Sequence, residues 1–201
     1  MKKNVNITLT ITAISIMSLA ACKETKKEQN GLHENHTEMN HDNGNGHHDD
    51  VKKSTTMNNL QKGNVETMLN DYLNLKDALV SDDNAKAKKL GAAMANSLGN
   101  LDVSKYSDVQ KAELKEIIED GKEHAEHISE SDIAHQREHF KVLSKDVTDL
   151  VAIAGTDRKL YEQFCPMYDK GTAWLSASKE IMNPYYGSQM LTCGKVQKEI
   201  N

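Results

Sequence analysis

The chain has 201 residues, of which 27% are charged and 37% hydrophobic, and a formal net charge of −5. That length suits one domain with tails, long enough to bury a real core, and a mildly acidic balance without a Lys/Arg block argues against nucleic acid as a partner. Two prolines and few aromatics (one Trp, six Tyr, two Phe), with a richness in Ala, Lys, Glu and Leu, disfavour an all-β sandwich.

Residues 1–21 read as a lipoprotein signal peptide. Lys2 and Lys3 form a positive start, Val5 to Leu19 an apolar stretch broken by Thr and Ser, and Leu19-Ala20-Ala21 precedes Cys22. Small residues followed directly by a cysteine resemble the bacterial lipobox, in which that thiol is diacylated and becomes the mature N-terminus. Processing there removes two lysines and no acid, taking the net charge from −5 to −7. Acyl chains on Cys22 would hold the protein to a membrane surface without a crossing helix.

Residues 22–56 hold almost no large apolar side chains beyond Leu32, Met39 and Val51. Such a segment cannot bury enough surface to offset its ordering entropy, which predicts a disordered tether. It carries His33, His36, His41, His47 and His48, five of the nine histidines. Flexible imidazoles collect zinc, copper or nickel loosely, with Glu34, Glu38, Asp42, Asp49 and Asp50 available to complete a shell.

Residues 57–201 form the body. No proline occurs between Met57 and Phe164, and apolar residues recur at helical spacing. Val65, Met68, Leu69, Tyr72, Leu75 and Leu79 make one stripe, closed by Ser81-Asp82-Asp83. Ala87, Leu90, Met94, Leu98 and Leu101 make a second, ended by Gly99-Asn100. Ser107 with Gln110 has the pattern of a capping box, opening a third helix through Leu114, Ile117, Ile118, Gly121, Ala125 and Ile128. Ser131 is expected to cap a fourth, with the stripe Ile133, Phe140, Leu143, Val147, Leu150 and Ala154, stopped by Gly155. Four amphipathic helices with short links predict an all-α, antiparallel four-helix bundle, since none would stay folded alone.

After Gly155 the composition changes. Six of the nine aromatics and both prolines, Pro166 and Pro184, fall between Tyr161 and Tyr186. Leu160–Phe164 and Ala173–Ser176 could form a short β-hairpin around Asp169-Lys170-Gly171, within an otherwise irregular cap marked by further turns at Asn183-Pro184 and Tyr186-Gly187. So abrupt a change points to function.

Within this cap, Cys165-Pro166-Met167 and Met190-Leu191-Thr192-Cys193 bring four sulfur atoms into two short motifs. Thiolate and thioether are soft donors that select Cu(I) or Ag(I) over hard ions. Pro166 fixes the backbone of the first motif and Gly194 loosens it after the second, while Trp174 and the tyrosines would supply a water-excluding wall. Zinc fits less well, because the spacing is not that of a zinc ribbon or knuckle. The competing expectation is structural: in an exported protein Cys165 and Cys193 most economically form a disulfide, with the methionines as core filler. Spacing alone leaves both open.

His124 and His127 are three apart, and His135 and His139 four apart, so each pair shares a helical face. An i, i+4 pair can grip one ion, which makes His127, His135 and His139 weaker metal candidates. Helical angles place His139 beside the apolar stripe and His135 further out, and a solvated flank would explain the same spacing.

Several motifs follow in order: Tyr72-Leu73-x-Leu75-Lys76-Asp77-Ala78-Leu79, Gln136-Arg137-x-x-Phe140-x-x-Leu143-Ser144, Cys165-Pro166-Met167, Trp174-Leu175-Ser176, and Ile181-x-Asn183-Pro184-Tyr185-x-Gly187-x-x-Met190-Leu191-x-Cys193-Gly194. Together, over about residues 65–200, they resemble the bacterial domain of unknown function 3347 family of exported lipoproteins. The same domain occurs at the C-terminus of copper/silver efflux periplasmic adaptors. A small residue usual in the family after Cys-Pro-Met is Tyr168 here. The resemblance implies heavy-metal handling outside the inner membrane, through the Cys and Met residues; a bridge between Cys165 and Cys193 would recur in a family equally well.

The expected function is therefore that of a non-catalytic, membrane-anchored heavy-metal binder that buffers Cu(I) or Ag(I), or delivers it to a heavy-metal efflux system, in the cell envelope. The outer membrane of a Gram-negative bacterium is the expected location, with the protein facing periplasm or surface. The alternative is a disulfide-stabilised module that docks on an efflux or envelope complex. No nucleophile elbow, Cys-x-x-Cys, phosphate loop or HExxH supports an enzyme.

Overall fold

The structure, a computed structural model, describes residues 49–200, with side chains from residue 64 onward. The signal segment, Cys22 and the five tether histidines lie outside the described residues.

Apolar periodicity folds the body into four helices among the described residues: α1 Asp49–Val80, α2 Asn84–Gly99, α3 Asp108–Glu130 and α4 Ile133–Ala154. α1 begins at Asp49, inside the stretch read as tether and ahead of the body boundary expected at residue 57. Local chemistry sets the remaining ends. Asp83 accepts from the Lys86 backbone N–H at 2.9 Å to open α2, and Ser107 and Gln110 cap α3 reciprocally. Ser131 terminates α3, its Oγ donating to the His127 carbonyl at 2.6 Å. Asp132, not Ser131, opens α4, accepting from the Ala134 and His135 N–H groups: a carboxylate is as good an N-cap as a hydroxyl and stands one residue nearer the helix. Gly155, at φ 75°, ends α4.

Short links leave sequence neighbours packed side by side, and α1 also touches α4. Met68, Leu69, Tyr72, Leu75, Leu79, Met94, Leu98, Leu114, Ile128, Phe140, Leu143 and Leu150 fill the core. No helix among the described residues is long and apolar enough to cross a membrane.

The C-terminal part is more regular than an irregular cap with a hairpin. It is a three-stranded antiparallel sheet, β1 Leu160–Cys165, β2 Thr172–Ser176 and β3 Lys195–Ile200, in the order β2-β1-β3. The expected hairpin is present, with Gln163 opposite Trp174 and Phe164 opposite Ala173. β3 adds to the other edge of β1, with a bulge between Glu162 and Gln163. The fold is thus mostly helical, not all-α. β2 lies against α4, and rings continue the core from bundle to sheet: Tyr72 stacks on Phe140 at 5.3 Å, Phe140 meets Tyr185 at 5.9 Å, and Tyr185 meets Trp174 edge-on at 5.8 Å.

Candidate functional site

The sheet assembles the sulfur pair. Phe164 pairs with Lys195, which brings Cys165, at the end of β1, alongside the Cys193-Gly194 dipeptide. Cys165 Sγ and Cys193 Sγ stand 2.8 Å apart; Cys165 is fully buried and Cys193 partly so. Burial pushes the Cys165 thiol up, but hydrogen bonds from Cys193, the Met167 and Tyr168 backbone and Asn183 outweigh it, leaving Cys165 below the usual thiol range. Cys193 is pushed up by its hydrogen bond to Cys165 and by burial. In the reduced pair Cys165 is the sulfur that ionises first, held by a proton on Cys193.

Asn183, fully buried, frames this pair. Its Nδ2 donates to the Cys193 carbonyl at 2.7 Å, and its Oδ1 accepts from the Tyr185 and Tyr186 N–H groups at 2.8 and 3.2 Å. Tyr186 in turn donates its hydroxyl proton to the Met167 carbonyl at 3.0 Å, so one asparagine organises both sulfur motifs. The Trp174 ring, fully buried, closes one side. Gly194, at φ +148°, passes so close that a Cβ there would lie 3.0 Å from both the Trp174 ring and the Phe164 carbonyl. Glycine at this position permits close approach as well as the turn. Met167 and Met190 are 63% and 40% exposed; they are not core filler. Tyr168, in the place of the small residue, stacks on Tyr185 at 4.7 Å and meets Tyr186 edge-on at 5.6 Å.

Of two buried polar residues on α4, Arg137 locks this region to the bundle and Gln136 ties α4 to α3 within it. Arg137 donates from Nε to the Pro184 carbonyl at 2.9 Å, from Nη2 to the Leu79 carbonyl at 2.9 Å, and pairs with Asp82. Gln136 donates from Nε2 to the Ile128 carbonyl at 3.1 Å and the Ser131 carbonyl at 3.2 Å. Sequence reading found these two only as parts of a motif, because a polar pair on a helix has the pattern of a solvated face.

Residues 68–159 match DUF3347, a family described as "Protein of unknown function". The resemblance read from the motifs is therefore shown over this span. The DUF3347 match covers the C-terminal part of α1 and all of α2, α3 and α4, and ends before β1; the sulfur motifs lie beyond it. No curated protein and no solved structure gave a match.

Inside the DUF3347 span, α3 and α4 bring four histidines together. His124 Nδ1 lies 2.8 Å from His139 Nδ1, and His139 Nε2 lies 3.1 Å from His135 Nε2. His127 stacks on His139 with ring centroids 4.5 Å apart and planes 4° from parallel. His139 is half-buried beside the core and His135 exposed, as the helical angles predicted. Burial first, then the charges of His127, His124 and His135, hold His139 below the ordinary histidine range. The spacing defined the two faces but not their meeting across the helix pair. Among the described residues, no group of three or more His, Cys, Asp or Glu side chains is placed so that it could hold a metal ion.

Proposed function

We propose that the protein is a membrane-anchored, non-catalytic binder of soft metal ions that buffers Cu(I) or Ag(I) in the cell envelope or passes it to a heavy-metal efflux system. The observation that carries this reading is the 2.8 Å approach of Cys165 Sγ to Cys193 Sγ. Two thiol sulfurs meet where the end of the central strand β1 lies beside the loop leading into β3, and each is followed or preceded by a solvent-facing methionine, Met167 or Met190, that could add a thioether. Cys22 would hold the domain to the membrane through acyl chains, and the tether histidines would act as a loose collecting arm.

A second reading rests on the same approach of the sulfurs. Oxidised to a disulfide, the pair would close a loop of nearly thirty residues and fix the sheet to the Asn183 segment. The protein would then be an interaction module on an envelope complex. Cu(I) competition against a chromogenic chelator, with thiol titration of the same protein, separates the two. Reduced protein that takes up copper supports the metal reading; reduced protein that cannot take copper from even a weak chelator overturns it and leaves the module.

A further inference from the structure

His139 stands in a line of imidazoles between α3 and α4. It meets His124 through Nδ1 at 2.8 Å and His135 through Nε2 at 3.1 Å, on opposite sides of its ring, while His127 stacks on its face. Nitrogens that approach from opposite sides cannot converge on an ion, but they do form a chain. A carboxylate stands at each end: His135 Nδ1 lies 2.8 Å from Glu138 Oε2, and His124 Nε2 lies 3.7 Å from Asp120 Oδ1. Counting protons along this chain fixes the tautomers. A carboxylate only accepts, so His135 donates from Nδ1 to Glu138 and accepts at Nε2. His139 therefore donates from Nε2 and accepts at Nδ1, and His124 donates from Nδ1. Any other placement on three neutral rings sets lone pair against lone pair at a short contact. The remaining lone pair, on His124 Nε2, faces Asp120 across the longest gap.

We propose that His124, His139 and His135 form a proton-binding chain that accepts one proton against Asp120 and is broken by a second, which makes the α3–α4 contact an acid-sensitive latch. The first proton enters at His124 Nε2, where it turns the Asp120 contact into a charge-assisted hydrogen bond. Every contact then has one donor and one acceptor. A second proton on the chain finds no such place. On His139 it sets N–H against N–H at the His124 contact; on His135 it does so at the other side of the His139 ring. Moving the His139 proton to its other nitrogen only returns the clash to the α3–α4 contact. His127, with Nε2 3.8 Å from Glu123 Oε1, takes its own proton outside the chain and adds positive charge over the His139 face. Burial and the charges of His127, His124 and His135 hold His139 below the ordinary histidine range, with Glu138 opposing them. The other charges nearby do not relieve this. On α4, Asp146 feels Asp120 and Lys145 is paired with Asp149 at 2.7 Å, while Tyr168, from the cap, feels Glu138. His127 and His135 are half exposed, so solvent protons reach the cluster.

The test follows the ring nitrogens by NMR in the full-length chain, from about pH 8 to pH 4 with a chelator present. His33→Asn, His36→Asn, His41→Asn, His47→Asn and His48→Asn clear the spectrum. At the alkaline end His124 and His135 should carry their protons on Nδ1 and His139 on Nε2. On acidification His124 should charge first in the chain and His139 last, about one pH unit or more below it. Amide protection across α3 and α4 should fall only at that last step. Asp120→Asn, at an exposed position, should lower the pH at which His124 charges and leave the tautomers of His135 and His139 unchanged. An Nε2 proton on His124 at the alkaline end, His139 charging with His124 or before it, or amide protection indifferent to His139 overturns the proposal. So does an Asp120→Asn protein in which the His124 titration is unmoved. The unsubstituted cluster supplies the first three readings, so none of them depends on a cluster variant folding.

Discussion

Tyr72 and Leu175, 103 positions apart, are joined by a hydrogen bond: the Leu175 backbone N–H donates to the Tyr72 hydroxyl at 3.0 Å. That hydroxyl also contacts Ser144 Oγ at 2.9 Å, so one fully buried side chain on α1 ties α4 to β2. Burial, opposed by these hydrogen bonds, raises the Tyr72 pKa, and the phenol stays neutral.

Tyr72→Phe keeps the ring stack on Phe140 and strands the Leu175 N–H and the Ser144 hydroxyl. The expected cost is about 1–3 kcal/mol of unfolding free energy, measured by urea denaturation. Ser144→Ala should cost less, because Leu175 keeps its partner. Equal losses would contradict this hierarchy.

Asp82 closes the clamp between the α1–α2 turn and the last loop. It receives hydrogen bonds from Ser188 and Arg137, which lower its pKa from 3.8 to about 2. A carboxyl depressed in the folded state stabilises above its unfolded pKa and loses that contribution as pH falls through the folded one. Wild type should therefore exceed Asp82→Asn in stability at pH 7, with the gap closing between about pH 4 and pH 2. Gly187→Ala should open the same clamp, since a Cβ there, at φ +55°, collides with the Asp82 carboxylate and the Arg137 guanidinium.

Asp146 is strained in the opposite sense. Burial, then the charge of Asp120, raises its pKa from 3.8 to about 6, and Oδ2 lacks a hydrogen-bond partner. An acid raised in the folded state costs stability at pH values above its folded pKa, and the cost disappears below its unfolded one. Asp146→Asn should raise stability by about 1–2 kcal/mol at pH 7.5 and by next to nothing at about pH 3. Chemical denaturation at the two pH values is the measurement.

The sulfur proposal predicts a division of labour. Met167→Ala and Met190→Ala, at exposed positions, should change stability by within about 0.5 kcal/mol while weakening Cu(I) binding. Binding by Cys165 and Cys193 releases protons, so affinity should rise with pH. If the pair is a bridge, Cys165→Ser instead costs about 2–5 kcal/mol and neither methionine affects metal. Melting curves and copper competition on the same variants distinguish these outcomes.

Periodicity made the helices legible, because each buries one stripe, and Ser107 with Gln110 marked the α3 start outright. The β1–β2 hairpin was legible for a related reason: aromatic and β-branched residues flank a turn in which Asp169 and Lys170 take positive φ, 43° and 65°. β3 was not, because Lys195-Val196-Gln197-Lys198-Glu199-Ile200 is solvent-exposed along nearly its whole length and so carries no alternating apolar pattern. The sulfur pair could be proposed from residue types, but the 28-residue separation of Cys165 and Cys193 carried no distance. Asn183 looked like a turn residue, and only its burial reveals that it fastens Cys193. The histidines were visible as two faces, whereas their meeting depends on how α3 and α4 rotate against each other.

Trp174 is the only tryptophan of the chain, fully buried and pressed against Gly194, next to Cys193. The protein therefore carries its single indole fluorophore at the seam where sheet, bundle and sulfur pair meet. Its emission reports unfolding of the ring-continuous core and, under the sulfur proposal, is expected to be quenched when a heavy ion binds beside Cys193. Both thermodynamic and ligand titrations can be followed optically without a label.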